Sequence, residues 1–167
     1  MVVVGIDGST KLTGVAVMID GELKYHTLID LHLEKDTMKR IRIMLLKICE
    51  VLDQYDIDEV HMEKAFKNSN TSTTMMLANI AGGIMLYCAK KDIKFIHPEP
   101  SVWRARVGLG QGRGVKRDTL KAEAIAAVKL AYGLDVNDDT AEAILIARSA
   151  FDLPKLDVDE DTLWEIF

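Results

Sequence analysis

The sequence predicts an α/β domain in which helices flank a five-stranded mixed sheet. Three apolar runs open the chain, and Asp20-Gly21 between the second and third is typical of a tight β-hairpin turn. Beyond them, segments with helical spacing of apolar residues alternate with short apolar runs, the pattern of strands joined by helical crossovers. The order βββαβαβαα therefore predicts three antiparallel strands followed by parallel strands.

The secondary structure elements can be assigned in order along the chain. Strands are predicted at residues 2–7, 14–19, 22–31, 57–62 and 93–96, where short apolar runs end at turn-forming residues. Helices are predicted at residues 37–52, 75–91, 117–132 and 138–150 from apolar residues three and four apart. Asp36 fits an N-cap, and Gly133 fits a C-terminal cap. Residues 108–114, GLGQGRG, are predicted to be a flexible loop.

Length and charge limit the classes of function. The 167 residues suit one domain at 1–151, followed by an acidic C-terminal tail at 152–167. The net charge of −5 excludes a uniformly basic DNA-binding protein. However, residues 101–131 carry a net charge of +5 and residues 132–167 a net charge of −8. This asymmetry predicts a local basic surface that could contact phosphates.

Targeting and cysteine patterns favour a cytoplasmic protein without a membrane partner. No apolar run approaches the length of a membrane span, and the N-terminus lacks the layout of a signal peptide. Cys49 and Cys88 stand apart in predicted helices without a CxxC motif. They therefore predict free thiols and neither a disulfide nor a zinc site.

Acidic residues follow two predicted strands and open the last predicted helix. Asp7 ends the first strand and Glu63 follows the fourth, at positions where an unpaired buried charge is costly. Asp139 and Glu142 are three residues apart and share a helix face, and Asp138 is four residues from Glu142. Each acid alone could be a turn former or a helix cap. Together they match the oxygen ligands that Mg²⁺ and Mn²⁺ prefer.

Clustered carboxylates of this kind predict hydrolysis of a phosphodiester. Two bound divalent ions can activate water and stabilise the leaving oxygen of an in-line displacement. We therefore expect a metal-dependent nuclease with two Mg²⁺ per active site and Mn²⁺ as a substitute.

Three segments of the chain resemble RuvC-type Holliday junction resolvases, which have an RNase H-like fold. They are GIDGSTKLTG at residues 5–14, EKAF at 63–66 and DTAEA at 139–143. The resemblance covers roughly residues 2–151 and is closest to phage members. It implies a homodimer that binds four-way junctions and nicks two strands symmetrically. For a phage-encoded protein, the site of action would be the cytoplasm of the bacterial host.

The resemblance also implies roles for individual residues. It makes Asp7, Glu63, Asp139 and Glu142 catalytic metal ligands and places Lys116 beside the catalytic site. Most members carry Pro-Gly after the first acid, where this chain has Gly8-Ser9, and most end the motif with Asp where this chain has Glu142. Glutamate reaches one methylene further than aspartate. Asp138 could share the metal role.

The DNA-binding prediction combines one aromatic residue with several basic ones. Phe66 stands where the family has an aromatic residue that enters the junction, and it could stack on an unpaired base or lie in the core. Where the family often has a lysine, this chain has Trp103, so we assign that contact to Arg104. Helix 72–91 corresponds to the family's dimer interface. The predicted phosphate-binding residues are Lys64, Lys67, Arg104, Arg113, Lys116 and Arg117.

Other functions are compatible with parts of the sequence. A broader branched-DNA or RNase H-type nuclease would use the same acids. A non-catalytic junction-binding protein would use them only as caps. Residues 7–10 also resemble the first phosphate loop of actin-like sugar kinases, but the chain lacks the second phosphate loop and second domain of that fold. GLGQGRG lacks the ending of a P-loop, so no nucleotide cofactor is expected.

Overall fold

A single mixed sheet forms the centre of the protein. The computed structural model describes residues 1–64, 71–110 and 114–158. The sheet has the strand order β3-β2-β1-β4-β5, with β1 (Val2–Asp7), β2 (Leu12–Ile19), β3 (Glu22–Asp30), β4 (Glu59–Met62) and β5 (Lys94–Ile96). β1, β2 and β3 pair antiparallel, β4 is parallel to β1, and β5 is parallel to β4. The predicted α/β fold with a mixed five-stranded sheet is therefore confirmed.

Within the described residues five helices cover the sheet, one more than the sequence predicts. They are α1 (Thr37–Leu52), α2 (Thr71–Lys91), α3 (Pro100–Val107), α4 (Arg117–Tyr132) and α5 (Asp138–Arg148). The sequence predicts no helix at α3, because Pro98 and Pro100 follow the apolar run at 93–96 and are typical of the end of a strand. Pro100 is instead the first helical residue, where proline lacks only an N–H that would have no helical partner.

Local capping sets several element boundaries. The side chain of Asp36 accepts a hydrogen bond from the Lys39 N–H, as predicted for the N-cap of α1. Gly133 has a φ of 68° and ends α4 with a hydrogen bond from its N–H to the Lys129 carbonyl. Asp20 and Gly21 both have positive φ angles, of 50° and 84°, as a tight hairpin turn between β2 and β3 requires.

The two faces of the sheet are covered by different helices. One face packs against α1 and α2 and carries one cluster of buried hydrophobic residues. The other face packs directly against α5, with α3 and α4 against α5, around a second buried cluster. A Cβ on Gly5 would lie 2.2 Å from the Ala143 carbonyl oxygen, and a Cβ on Gly14 would lie 2.0 Å from the Asp139 carbonyl oxygen. The backbone of α5 therefore rests on the sheet at two glycines.

Helix α2 is buried along one side only. Ile80, Ile84 and Cys88 are fully buried, and a Cβ on Gly83 would lie 2.7 Å from Leu45 of α1. Cys49 and Cys88 are free thiols, as predicted, although Cys49 is half-buried. By length and composition α2 could cross a membrane, although the sequence predicts no such span. This is weak evidence for a membrane span, because core helices of soluble proteins meet the same criterion.

The first part of the predicted acidic tail packs on the domain. The N–H of Leu156 donates to the Val107 carbonyl at 2.7 Å, and the Arg148 guanidinium donates to the Pro154 carbonyl at 2.8 Å. Leu156 and Val158 pack against the hydrophobic cluster beneath α5. Residues 152–158 are thus held by backbone and apolar contacts.

Candidate active site

A cleft of about 520 Å³ opens where β1 and β4 end. Residues of β1, α2, α3, α4 and α5 line it, with the turn after β1 and Glu63 directly after β4. Its acidic residues are Asp7, Glu63, Asp138, Asp139 and Glu142, and its basic residues are Arg104, Arg117 and Lys121. We call this the acidic cleft, and we call Asp7, Glu63, Asp139 and Glu142 the carboxylate cluster. All four predicted metal ligands therefore face one cavity.

The topology explains how acids distant in sequence meet. β1 and β4 are parallel neighbours, so Asp7 at the end of β1 lies beside Glu63, whose N–H donates to the Ile6 carbonyl. Asp7 pairs with Gly14 in the register of β1 and β2. Because Gly14 has no side chain, the first turn of α5 can approach the sheet, and this brings Asp139 to the same place.

Burial and mutual repulsion make the carboxylate cluster hard to ionise. Burial raises the pKa of Asp7 well above its usual range, and the charges of Glu142, Glu63 and Asp139 raise it further. Burial raises the pKa of Glu63 to about 7, although a hydrogen bond from Trp103 lowers it. Burial also raises the pKa of Asp139 and of Glu142. Neutralising these charges with a cation would therefore stabilise the folded protein.

Two of the four carboxylates accept hydrogen bonds from neighbouring side chains, and a third lies beside a guanidinium. The Trp103 Nε1–H donates to Glu63 Oε2 at 2.6 Å, and the Asn137 Nδ2 donates to Asp139 Oδ2 at 3.1 Å. The Arg104 guanidinium lies 3.6 Å from Glu142 Oε1. As the side chains stand, no set of three or more His, Cys, Asp or Glu residues in the described ranges is arranged to hold a metal ion.

Arg104 occupies a different environment from the one predicted. Its side chain is only 3% exposed. It donates to the carbonyls of Gly110 and Leu120 and to Glu123 Oε2, the last at 2.8 Å. This internal position differs from the surface phosphate contact expected from the sequence, because α3 turns the side chain inward. Arg104 therefore links the start of the glycine-rich segment to α4 and to Glu142.

The other predicted DNA-binding residues lie in several places. Lys116 is exposed at the N-cap of α4 and is not among the residues that line the cleft, whereas Arg117 begins α4 and does line it. Lys64 is exposed beside the cleft and pairs with Glu99 at 2.7 Å. The predictions for Phe66, Lys67 and Arg113 fall outside the described residues.

Sequence reasoning missed several residues that support the site. Asn137 caps α5 by accepting from the Thr140 N–H at 3.2 Å, and an asparagine directly before a helical pattern is a signal that could have been used. Lys121 forms an ion pair with Asp138, so this acid already has a cationic partner. Nothing in the sequence indicates that Trp103 donates to Glu63, because the sequence predicts no helix at α3.

Comparisons with known proteins agree with this geometry. The family model for RuvC, crossover junction endodeoxyribonuclease, matches residues 3–147. RuvC of Clostridioides difficile (strain 630) is 25% identical over 154 residues, covering 89% of this chain and 91% of that protein. RuvC of Alkaliphilus metalliredigens (strain QYMF) is 27% identical over 159 residues, covering 88% and 90%.

Solved structures show the same fold. The structure of T. thermophilus RuvC in complex with a Holliday junction substrate matches with a TM-score of 0.71 and 17% identity, covering 89% of this chain and 92% of that one. The complex of Fowlpox virus resolvase with substrate Holliday junction DNA matches with a TM-score of 0.57 and 16% identity, covering 90% and 98%. Since the family model spans most of the sequence, the chain belongs to the RuvC family of crossover junction endodeoxyribonucleases.

Proposed function

We propose that this protein is a metal-dependent endonuclease that resolves Holliday junctions and related branched DNA by paired hydrolysis of phosphodiesters. The observation that carries the proposal is the convergence of four carboxylates in one cleft of a RuvC-family fold. Two relatives of the same fold were solved with Holliday junction DNA. The catalytic domain would comprise residues 1–151, and the protein would act in the cytoplasm, that of a bacterial host if it is phage-encoded.

The carboxylate cluster fits divalent metal ions by its chemistry. Its donors are all carboxylate oxygens, which suit Mg²⁺ and Mn²⁺. Burial raises the pKa of each of the four acids, so a cation would offset an unfavourable accumulation of charge. Asp7, Glu63, Asp139 and Glu142 would hold two Mg²⁺. When bound, such ions supply an activated water and stabilise negative charge on the leaving oxygen.

Basic residues beside the cleft would position the DNA backbone. Lys116 and Arg117 stand at the N-terminus of α4, where the helix dipole adds to their attraction for a phosphate. Exposed Lys64 would contact a neighbouring phosphate by exchanging its partner Glu99. Phe66, Lys67 and Arg113 remain predicted DNA contacts on the strength of the resemblance. Arg104 would act inside the protein, holding Glu142 and the segment at Gly110.

Helix α2 would form the interface between two copies of the chain. Its exposed side carries apolar and small residues three or four apart, a spacing that suits contact between two helices. Met75 is 64% exposed and Leu86 is 63% exposed, while a Cβ on Gly82 would meet no atom within 4 Å. A second copy would cover this surface and provide the second active site that paired nicking needs. We call this surface the α2 stripe: Met75, Ala78, Gly82, Met85, Leu86 and Ala89.

A cleavage panel tests the proposed function. Purified protein with Mg²⁺ is given a four-way junction, a Y-fork, a flap, a plain duplex and an RNA–DNA hybrid, each labelled on every strand. We expect paired symmetric nicks in the four-way junction. Preferred cleavage of the hybrid would instead indicate an RNase H-type nuclease. Binding of the junction without any nicking in Mg²⁺ or Mn²⁺ would indicate a non-catalytic junction-binding protein.

A further inference from the structure

The indole of Trp103 is directed at one member of the carboxylate cluster. Trp103 lies in α3 with 1% of its surface exposed, and its Nε1–H donates to Glu63 Oε2 at 2.6 Å. The two residues are separated by 40 positions in sequence, so the contact depends on the packing of α3 beside the end of β4. Hydrogen bonds to an ionised carboxylate are shorter and stronger than those between neutral groups.

We propose that Trp103 is a positioning residue that orients Glu63 for metal binding. The inference rests on the proposed function, because it takes Glu63 to be a metal ligand. An indole has one donor and no acceptor, so Trp103 can hold the carboxylate but cannot bind the metal itself. By engaging Oε2 it restrains the rotation of the carboxylate and leaves Oε1 outside this hydrogen bond. Groups that orient metal ligands through such hydrogen bonds contribute strongly to metal affinity.

The neutrality of the donor matters for the charge of the site. An indole N–H gives direction without a full positive charge, and the carboxylate keeps its attraction for a cation. The chain does have a cation nearby, since the Arg104 guanidinium lies 5.2 Å from the centroid of the Trp103 ring. That guanidinium is directed towards Glu142 and Glu123.

Helix α3 therefore reaches two members of the cluster through consecutive residues. Trp103 bonds Glu63, and Arg104 lies beside Glu142. Arg104 is also tied to carbonyls of Gly110 and Leu120, so its removal would disturb packing as well as charge. Trp103 offers the cleaner test, because phenylalanine keeps an aromatic ring in the same place and removes only the donor and part of the ring system.

The primary experiment compares Trp103→Phe with a variant that loses a similar hydrogen bond to a carboxylate outside the acidic cleft. Tyr87→Phe is the control, since Tyr87 Oη also donates to a carboxylate at 2.6 Å, that of Asp53. Binding of Mn²⁺ to each protein is measured by electron paramagnetic resonance without DNA, and cleavage is measured across a Mg²⁺ titration. We expect Trp103→Phe to bind Mn²⁺ about 10- to 100-fold more weakly, with partial recovery of cleavage at high Mg²⁺. Tyr87→Phe should match the unaltered protein in both measurements.

The outcomes separate this inference from the proposed function. If the unaltered protein binds Mn²⁺ and Trp103→Phe binds it equally well, the positioning role is overturned while the nuclease proposal stands. If the unaltered protein binds no Mn²⁺, the proposed metal site fails and the inference fails with it. A lower melting temperature of Trp103→Phe with unchanged Mn²⁺ affinity identifies a packing role only, and this too overturns the inference.

A second measurement does not depend on the folding of Trp103→Phe. The chain has two tryptophans, so NMR of the indole N–H groups gives two signals, and Trp164→Phe assigns them. We expect the Trp103 signal to shift when Mg²⁺ is added and to move upfield in Glu63→Gln, as its hydrogen bond to a charged acceptor is lost. A Trp103 signal that responds to neither change would overturn the inference.

Discussion

Helices α5 and α2 cover opposite faces of one sheet and are packed in opposite ways. The backbone of α5 touches the sheet at Gly5 and Gly14, and seven of its residues are buried. Helix α2 buries four residues and leaves the α2 stripe exposed. Close packing fixes the helix that carries two acids, where small displacements would alter the chemistry. The helix with an exposed apolar side is the one suited to meet another molecule.

The largest expected effect is a loss of DNA cleavage without a loss of DNA binding. Asp7→Asn should leave junction binding intact and reduce cleavage by about 10³-fold, because metal-ion catalysis supplies several kcal/mol and each 1.36 kcal/mol is a factor of ten. Fluorescence anisotropy measures binding, and denaturing gels measure cleavage. Asp135→Asn is the control, since that carboxylate is 86% exposed and outside the cleft. Full cleavage by Asp7→Asn in Mg²⁺ would contradict the assignment.

A charge introduced into the α2 stripe tests the proposed dimer interface, which lies on the opposite face of the sheet from α5. Leu86→Glu should raise the dissociation constant of the dimer about 100-fold, since burying an unpaired charge costs several kcal/mol. Analytical ultracentrifugation measures this constant. Nicks in the two strands of a junction should then become independent events.

Leu130→Glu is the matched control for the α2 stripe, because Leu130 is also an exposed leucine, at 56%, but lies in α4. It should leave the dimer unchanged. A chain that is monomeric before any substitution would contradict the proposed interface. Association with lipid vesicles that Leu86→Glu abolishes would instead assign the α2 stripe to a membrane surface.

Two glycine substitutions contrast the packing of α5 and α2 directly. Gly14→Ala should lower the free energy of unfolding by about 1–3 kcal/mol, because its Cβ would collide with the Asp139 carbonyl and displace α5. Cleavage should fall as well, since Asp139 moves with the helix. A Cβ on Gly82 would meet no atom of its own chain, so Gly82→Ala, made in the Leu86→Glu protein so that no second copy covers the α2 stripe, should raise the stability of α2 by up to about 1 kcal/mol through helix propensity. Chemical denaturation measures the free energy of unfolding of both variants. If both substitutions changed it equally, the difference in packing between α5 and α2 would be contradicted.

The sheet and the location of the four acids could be predicted because their signals are local. Asp7 and Glu63 follow apolar strands, and Asp139 and Glu142 share a helix face, so strand ends and helical spacing were sufficient to expect them together. Their roles as metal ligands, and the choice of Asp139 over Asp138, rest on the resemblance. Asp36 and Gly133 were likewise identified by capping preferences. These features depend on a few neighbouring residues and on the rule that parallel strands end at the same edge.

The supporting contacts could not be predicted because they depend on tertiary packing. Nothing near Gly14 in the sequence indicates that the Asp139 carbonyl lies over it. The sequence predicts Arg104 to be an exposed cation, but its side chain is buried among a loop carbonyl and acidic side chains of α4 and α5. The bond from Trp103 to Glu63 requires α3, whose eight residues have no strong amphipathic pattern.

The smallest expected effect is a pH dependence of stability, which arises from the acidic cleft beside α5. Burial raises the pKa of Glu63 from 4.5 to about 7, so the folded protein binds more protons than the unfolded chain between these values. Without divalent metal, the contribution of Glu63 to stability should be complete below pH 4.5, fall as the pH rises from 4.5 through 7, and stay level above that. The scale is about 1.4 kcal/mol for each unit by which the pKa is raised, as an upper limit for a partly accessible group.

Differential scanning fluorimetry from pH 5 to 8 in EDTA measures this loss, and Mg²⁺ should reverse it most at the high end, where the carboxylates are ionised. Glu63→Gln should flatten the slope, because the amide does not titrate. Glu99→Gln is the control, since Glu99 is exposed and pairs with Lys64 on the surface. A slope that Glu63→Gln leaves unchanged would mean that other acids of the cluster carry the pH dependence. A slope absent in the unaltered protein would mean that the cleft is more hydrated than its burial indicates, and the stabilisation by Mg²⁺ should then be correspondingly small.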